Sequence, residues 1–475
     1  MKFTVVSHAC LYVEHEDIRL VTDPWFIGSC YWRSWWNYPE VSEELIDTIK
    51  PTHIYLTHLH WDHYHGPTLR KLESFNPTVL LPKHFNKRMK NDLLRDFNFS
   101  NIKELDHGKK YKLREYFQLT SYQFNPVIID SSLVIESDGV TLLNANDSKT
   151  FGLSLRHIIN NHPKIDFAFR SHSSATPIPQ CVKNMNVSKT NRTPSDYADD
   201  FIAFAKSTRC KFIVPFASSH IYLHDLSKKF NKYYSDPSFV KRQFDLKINS
   251  KQNCKIMVSG SSWSKKNGFN IENYDFGNLN SDIALYSLKN KAKIELQIKL
   301  GEQKKLNIKA FENYYHRFLN ASNSPYKLLN FRFGFLINEK KTSTKFLCII
   351  DGIKSKTEVI TINSEEEIYK NKLAFIIRTP LNIFNDCNTK IMHNTFTPSK
   401  LLEIITTNKN SLKLVSKYFN LIDLYENDSL PIYKILSLRN IIIMVRRWRE
   451  LFDIVYYIFI IKIRKKKMYN LWHSI

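Results

Sequence analysis

Residues 57–66 read THLHWDHYHG, placing four histidines and an aspartate in ten positions between Thr57 and Gly66. THIYLTH (52–58) reads as a strand that runs into the motif, and HGPTLRKLESF (65–75) begins a helix with Pro67 at its first turn. The expectation is therefore a strand, a tight loop and a helix. In such a loop His58, His60, Asp62 and His63, an H-x-H-x-D-H pattern, converge on a cation from several directions. Imidazole with carboxylate suits zinc, iron or manganese, and an aspartate beside the histidines permits two ions close together. A histidine-rich surface turn is the plainer alternative, and the flanking strand and helix argue against it.

Around this stretch the chain alternates strand and helix. FTVV (3–6) reads as a strand, and LYVEH (11–15) turns through Glu16-Asp17 into IRLVTDPW (18–25) as a half-buried antiparallel hairpin. VSEELIDTIKP (41–51) reads as a short helix capped by Ser42, PTVLLP (77–82) as a strand and NKRMKNDLLRDF (86–97) as a helix. YKLREYFQLTSYQF (111–124) and SSLVIESDGVTLLNAND (131–147) read as strands, the second a hairpin with its turn at Ser137-Asp138-Gly139. DFAFRS (166–171), KFIVPF (211–216) and KIMVSG (255–260) follow as strands, with a helix over SDYADDFIAFAKST (195–208). This is the texture of layered α/β architecture. The aromatic segment FIGSCYWRSWWNYPE (26–40) reads as a loop in which Tyr31, Trp32, Trp35 and Trp36 either cap a core or wall a pocket.

Further on, KAKIELQIKL (291–300), FRFGFLINEK (331–340) and TKFLCIIDG (344–352) read as strands, LAFIIRTPLNIF (373–384) as strand into loop, and PSKLLEIITTN (398–408) and the tail as helices. The organisation expected is a domain at 1–270, an α+β accessory domain at 283–430 and a basic amphipathic helical tail at 431–475.

The H-x-H-x-D-H motif resembles the hallmark of the metallo-β-lactamase-fold superfamily. SHACLYVEHEDIRLVTDPW (7–25) resembles the branch that opens with an Asp-Pro hairpin, which includes phospholipase-D-like and lactonase-like members. DPWFIGSCYWRSWW, DSSLVIESDGVTLLNAND and FIVPFASSH are similar to the metallo-β-lactamase portion of CMP-N-acetylneuraminate hydroxylases. The resemblance implies an αββα sandwich with the accessory domain and tail appended. It also implies two divalent metal ions, zinc or iron with manganese as a third option. His58 and His60 would bind one ion, Asp62 and His63 the other, with Asp147 bridging and His220 as the late histidine, His224 standing in reserve. Members of the family usually carry a further histidine before the bridging acid. Asp130 occupies that place here, either as an oxygen ligand that favours iron or manganese or as a cap on the hairpin. His8 and Asp23 are expected to orient the ligating imidazoles from outside. Trp32, Trp35, Trp36, His172 and His224 are candidates for contact with substrate, and His65 for the pocket wall.

The resemblance implies hydrolysis of an ester, amide or phosphoryl bond by a metal-activated water, on a small molecule that is sugar- or nucleotide-linked, as in carbohydrate or cell-surface polysaccharide metabolism. Asp62 and Asp147 are the candidates for moving the proton. An iron-dependent hydroxylase is the second reading. The seven cysteines are scattered, with no Cys-x-His or Cys-x-x-His pair to hold a Rieske centre, so that chemistry would need a separate electron donor. A non-catalytic component of a membrane-associated assembly is the third.

The charge of +24 calls for an acidic partner. Its local concentration brackets the apolar run Leu451–Ile463, with Arg446, Arg447 and Arg449 before it and Lys462 and Arg464 to Lys467 around its end. That pattern fits peripheral contact with a membrane surface, or a helix packed on the second domain with its charges solvated. The dispersed charge elsewhere predicts no specific nucleic-acid binding. Scattered cysteines and a polar N-terminus without a signal-peptide core predict a cytoplasmic protein, membrane-associated if the tail binds lipid.

Overall fold

A computed structural model describes residues 1–126, 130–173, 177–183, 193–248, 251–407 and 411–459. The strand before the histidine motif, His53–Tyr55, lies inside an eight-stranded sheet. Its neighbours are the hairpin Cys10–His15 and Ile18–Thr22 on one side and the parallel strands Thr78–Pro82 and Ile102–Leu105 on the other. A seven-stranded sheet faces it, with the hairpin Ser131–Ser137 and Val140–Asn146 at its centre and the parallel strands Phe167–Ser171 and Phe212–Phe216 beyond. Asp138 and Gly139 both have positive φ in the tight turn of that hairpin.

Alternation along the strands explains why the two sheets stack. Leu11, Val13 and Leu20 join Leu119, Leu133, Leu142 and Phe169 in a core between the sheets, while Tyr12 and Val21 turn the other way. That second face is covered by the helices Glu43–Thr48, Gly66–Leu72 and Arg88–Asp96, which bury Ile46, Leu69 and Leu93. The outer face of the seven-stranded sheet is covered by Gly152–Asn161, Pro194–Thr208 and Pro237–Lys247. The result is the αββα sandwich. Its strand ends gather at one edge: Ser7, Thr22, Tyr55, Asn146 and Phe216 each close a strand just before a residue of the candidate site.

Beyond residue 270 a five-stranded sheet runs in the order 356–362, 344–351, 332–339, 375–378, 403–406. Ile308–Ser322 and Ser411–Glu426 pack against it through Tyr314, Tyr315, Phe318 and Tyr418. One apolar cluster contains these residues together with Trp25, Tyr31, Trp32, Trp35 and Tyr222 of the sandwich. The aromatic loop is therefore core between the two parts, and it carries two short strands, Ser29–Cys30 and Trp35–Asn37, the latter paired with His220–Tyr222.

Four local expectations are corrected. KAKIELQIKL lies within the helix Leu279–Glu302. Its apolar residues alternate with the period of a strand, but Lys, Ala, Glu, Leu and Gln are strong helix formers, and burial at Ile283, Asn290, Ile294 and Gly301 follows helical spacing, with Leu296 and Leu300 left exposed. The segment after Pro380 is the helix Leu381–Lys390 and not a loop. Inside PSKLLEIITTN the residues Glu403–Thr406 form a strand against Phe375–Arg378, because left-handed Lys400 stops any helix and paired isoleucines favour the sheet. KIMVSG is not a strand: pairing ends after Asn253–Cys254, and the chain crosses to the other sheet, where Gly260 N–H donates to Val5 O at 2.9 Å.

The tail also differs. Helices Leu438–Arg446 and Trp448–Tyr457 rest on the sandwich, through the helix Gly152–Asn161 and the residues His107 and Gln123, and not on the second unit. Lys462, Arg464 and Lys465 to Lys467 lie outside the described residues.

Candidate metal centre

The loop after the strand His53–Tyr55 brings its four polar residues close to acids from elsewhere. His63 is the hub: its Nε2 lies 3.2 Å from Asp62 Oδ2 and 3.4 Å from Asp147 Oδ2. His58 Nε2 lies 2.9 Å from His60 Nδ1, and the His58 and His63 rings are 4.1 Å apart. Ligand atoms of His58, His63 and Asp147 all fall within 4.8 Å of one another, and those of His8, Asp62 and His63 do the same. Two adjoining donor groups thus share one imidazole.

Asp23 lies behind them, fully buried and at positive φ. It accepts from Thr57 N at 2.8 Å, Thr57 Oγ1 at 2.8 Å, His63 Nδ1 at 2.9 Å and the Asn146 side chain. With the Nδ1 hydrogen given to Asp23, the Nε2 lone pair of His63 faces the donor groups. His8, expected to act from outside, places its Nε2 3.1 Å from Asp62 Oδ2 and within the second group itself. Asp130 lies 3.9 Å from His58 Nδ1. His220 is set beside His8, ring centroids 5.3 Å apart, and Trp35 stacks flat on its other side at 3.5 Å.

The electrostatics are those of an anionic cage. Burial lowers the His63 imidazole, yet Asp62, Asp147 and Asp23 hold its pKa well above the usual value. Burial raises Asp62, but His63 and His8 hold it well below the carboxylate range. Burial and the neighbouring Asp147 push Asp130 up to about 7. Burial, with His63 and His60 adding repulsion, drives His58 well below its ordinary value, and burial with His8 does the same to His220. His58 and His220 are thus held as neutral imidazoles with free lone pairs beside crowded carboxylates, which suits a divalent cation; on His63 such a cation would take the place of the proton that the acids favour. Buried His63 Nε2, Asp147 Oδ1, Asp130 Oδ1 and His220 Nδ1 have no hydrogen-bond partner, so the donor set fits metal ions.

Other candidates fall elsewhere. Trp36 is buried with its Nε1 donating to Arg33 O, and Trp35, pressed on His220, donates to Pro398 O, so both are packing residues and have no ring face open to substrate. Trp32 and His224 line a cavity of about 650 Å³ between the sandwich and the second unit, walled by Ile298, Leu336 and Leu381. His172 is buried near Ser235 O at 3.1 Å, and burial lowers it to about 4. His65 is held by Thr68 and Ser29.

Two residues near the centre, Arg170 and Lys400, carried no sequence signal, and a third, Tyr31, was marked only as part of the aromatic loop. Tyr31 donates its hydroxyl to Asp62 Oδ1. Arg170, buried at a strand end, has a guanidinium that burial lowers to about 10 while Asp200, Asp147 and Asp130 pull it back up. Lys400, from the second unit, donates to Gln180 over the faces of Tyr222 and Phe230 at 4.8 and 5.3 Å, and burial lowers it to about 8.

Comparisons with known proteins find the following similarities. Residues 2–144 match the family described as the Beta-lactamase superfamily domain. The cytidine monophosphate-N-acetylneuraminic acid hydroxylase of Asterias rubens is 38% identical over 80 residues, 17% of this chain and 12% of that protein. A protein of Mycolicibacterium smegmatis described as a Rieske 2Fe-2S iron-sulfur protein is 25% identical over 252 residues, 50% of this chain and 47% of that protein. The chain thus spans less than half the length of these curated relatives. Among solved structures, Igni18, a metallo hydrolase of Ignicoccus hospitalis, is 14% identical, covers 55% of this chain and 96% of that chain, and has a TM-score of 0.38. Residues 2–144 thus match a Beta-lactamase superfamily domain, within a chain that folds as a metallo-β-lactamase-type αββα sandwich.

Proposed function

We propose that this chain is a metal-dependent hydrolase acting on an ester, amide or phosphoryl bond of a small, sugar- or nucleotide-linked substrate. The observation that carries the reading is the pair of adjoining donor groups sharing His63. Bound there, two divalent cations of the zinc, iron or manganese class would supply Lewis acidity and a water acidic enough to ionise near neutral pH. His58, His60, Asp130 and Asp147 would hold one, and His8, Asp62, His63 and His220 would surround the other. Tyr31 fixes one oxygen of Asp62 and leaves the second for the cation. Asp62 is buried and serves as ligand. Asp147, with its side chain 33% exposed, has the path to solvent and is assigned the proton transfer.

Metal quantification on anaerobically prepared protein, followed by a screen of lactone, nucleotide-sugar and phosphodiester substrates, tests this. Two ions per chain with chelator-sensitive hydrolysis is the expected result. Iron with reductant-dependent oxygen uptake and no hydrolysis would replace the proposal with the second reading, an oxidative enzyme. That reading draws on the hydroxylase relatives and on the oxygen-rich set that Asp130 creates. All seven cysteines are buried singly, so an external electron donor would be needed.

Asp23 supplies a further prediction. Asp23→Asn keeps the size of the side chain but removes the charge that fixes His63, and metal affinity should fall about 10–100-fold by chelator competition. Unchanged affinity would mean that Asp23 supports the fold alone.

A further inference from the structure

The two helices at the end of the described chain are inside out. In Trp448–Tyr457 the side chains turned to the protein are charged: Glu450 and Asp453 are each 3% exposed, and Arg447 just before them is 6% exposed. Each has a built partner. Arg447 donates to Gln123 Oε1 at 2.5 Å and Gln123 O at 3.0 Å, and Glu450 lies 3.1 Å from His107 Nε2. Asp453 accepts from Leu153 N at 3.0 Å and Ser154 N at 2.8 Å, capping the helix Gly152–Asn161.

The bulky apolar residues point the other way. Trp448, Phe452, Val455 and Phe459 recur at i, i+4, i+7 and i+11, and the first three are 50, 52 and 64% exposed. On the preceding helix Ile441 and Val445 are 41 and 67% exposed, and Leu438 and Ile442 line the open cavity between this helix and Phe85, His107 and Gln123 of the sandwich. A contiguous stripe of this kind on two successive helices is far from the isolated exposed leucines of an ordinary surface. Folding has spent the polar face on the sandwich and left the apolar face outward.

The geometry points to a lipid bilayer with anionic headgroups as the occupant of this face, the two helices lying in the plane of the interface. Charge selects it. Arg439 and Arg446 are exposed beside the stripe and Arg449 is half-exposed over the Trp448 ring, whereas the two acids between residues 432 and 459 are both buried. An apolar face flanked by cations alone matches an anionic leaflet, where side chains such as Trp448 and Phe452 enter the acyl boundary and arginines meet phosphate. No helix among the described residues is long and apolar enough to cross a membrane. It is independent of the hydrolytic reading, since none of these side chains belongs to the metal centre.

The test is co-sedimentation of the full-length protein with phosphatidylcholine vesicles, with and without phosphatidylserine, repeated in chelator. Wild type should partition onto the anionic vesicles equally with and without chelator. F452E/V455E should weaken that binding by about tenfold or more while leaving the melting curve unchanged, because both side chains are exposed. R446E/R449E should remove the preference for phosphatidylserine. Wild type that ignores anionic vesicles, or F452E/V455E that binds like wild type, overturns the proposal. So does wild type that self-associates without binding vesicles and becomes monomeric on the same substitutions, since the face would then serve a second copy.

Discussion

His63→Ala is expected to leave the protein folded but unable to hold its metal, and to lower hydrolysis by on the order of 10³-fold or more, the equivalent of several kcal/mol of lost charge stabilisation. His63 is the residue common to both donor groups, with Asp62 at 3.2 Å, Asp147 at 3.4 Å and Asp23 at 2.9 Å around a single ring. Removing it takes one ligand from each group and leaves Asp62, Asp147 and Asp23 without the ring that now lies between them. The same argument fixes a thermal signature. Metal bound only by the folded state stabilises it by mass action, so wild type should melt lower in chelator, and His63→Ala should melt at the same temperature with or without chelator. His53→Ala is the control: this histidine lies in the same strand-loop segment but pairs with Thr52, and its loss should leave metal content unchanged. If His63→Ala retains full metal occupancy, the ions sit elsewhere and the assignment of the centre fails.

Much of this centre was legible because its residues sit where strands stop. The strand before His58 and the hairpin before Asp147 are both marked by local apolar pattern, and a residue just past a strand end projects from the rim of the sandwich. What the sequence could not convey were the contacts that close over long separations. His8 reaches Asp62 across 54 positions and Tyr31 reaches the same carboxylate across 31, and no local pattern encodes either. The aromatic loop showed the same limit. Its tryptophans announced burial, but only the folded chain reveals that Trp35 is spent on His220 and on Pro398 from the second unit. KAKIELQIKL failed for a different reason: its apolar residues alternate as in a strand, and helical spacing becomes visible only once Asn290 and Gly301 are known to be buried. In the tail the apolar run and its cations were plain, yet which face turned inward depended on His107, Gln123 and Ser154, hundreds of residues away.

Glu426→Leu should cost about 3–5 kcal/mol of stability, the largest single loss expected outside the centre, because it removes the one acceptor of a buried polar network. Glu426 is 3% exposed and accepts from the Tyr314 hydroxyl at 2.7 Å, His393 N at 2.7 Å and Asn394 N at 2.8 Å. Burial raises its carboxyl above the ordinary range, and the Arg88 guanidinium at 3.9 Å works against that rise. Arg88 belongs to the sandwich helix Arg88–Asp96, and it also donates to Glu426 O at 2.6 Å and Ile391 O at 2.5 Å. The network therefore ties the sandwich to the second unit, as the shared aromatic cluster does. Leucine would strand three donors in an apolar core. Glu426→Gln, which keeps one acceptor oxygen, should lose only about 1–3 kcal/mol. Because Arg88 and Glu426 share partners, the double variant R88L/E426L should lose less than the sum of the single losses, by about 0.5–3 kcal/mol. Urea unfolding followed by tryptophan fluorescence measures the wild type and the four variants, R88L included. Simple additivity, or a Glu426→Leu midpoint equal to wild type, would show that the two units are not joined through this carboxylate.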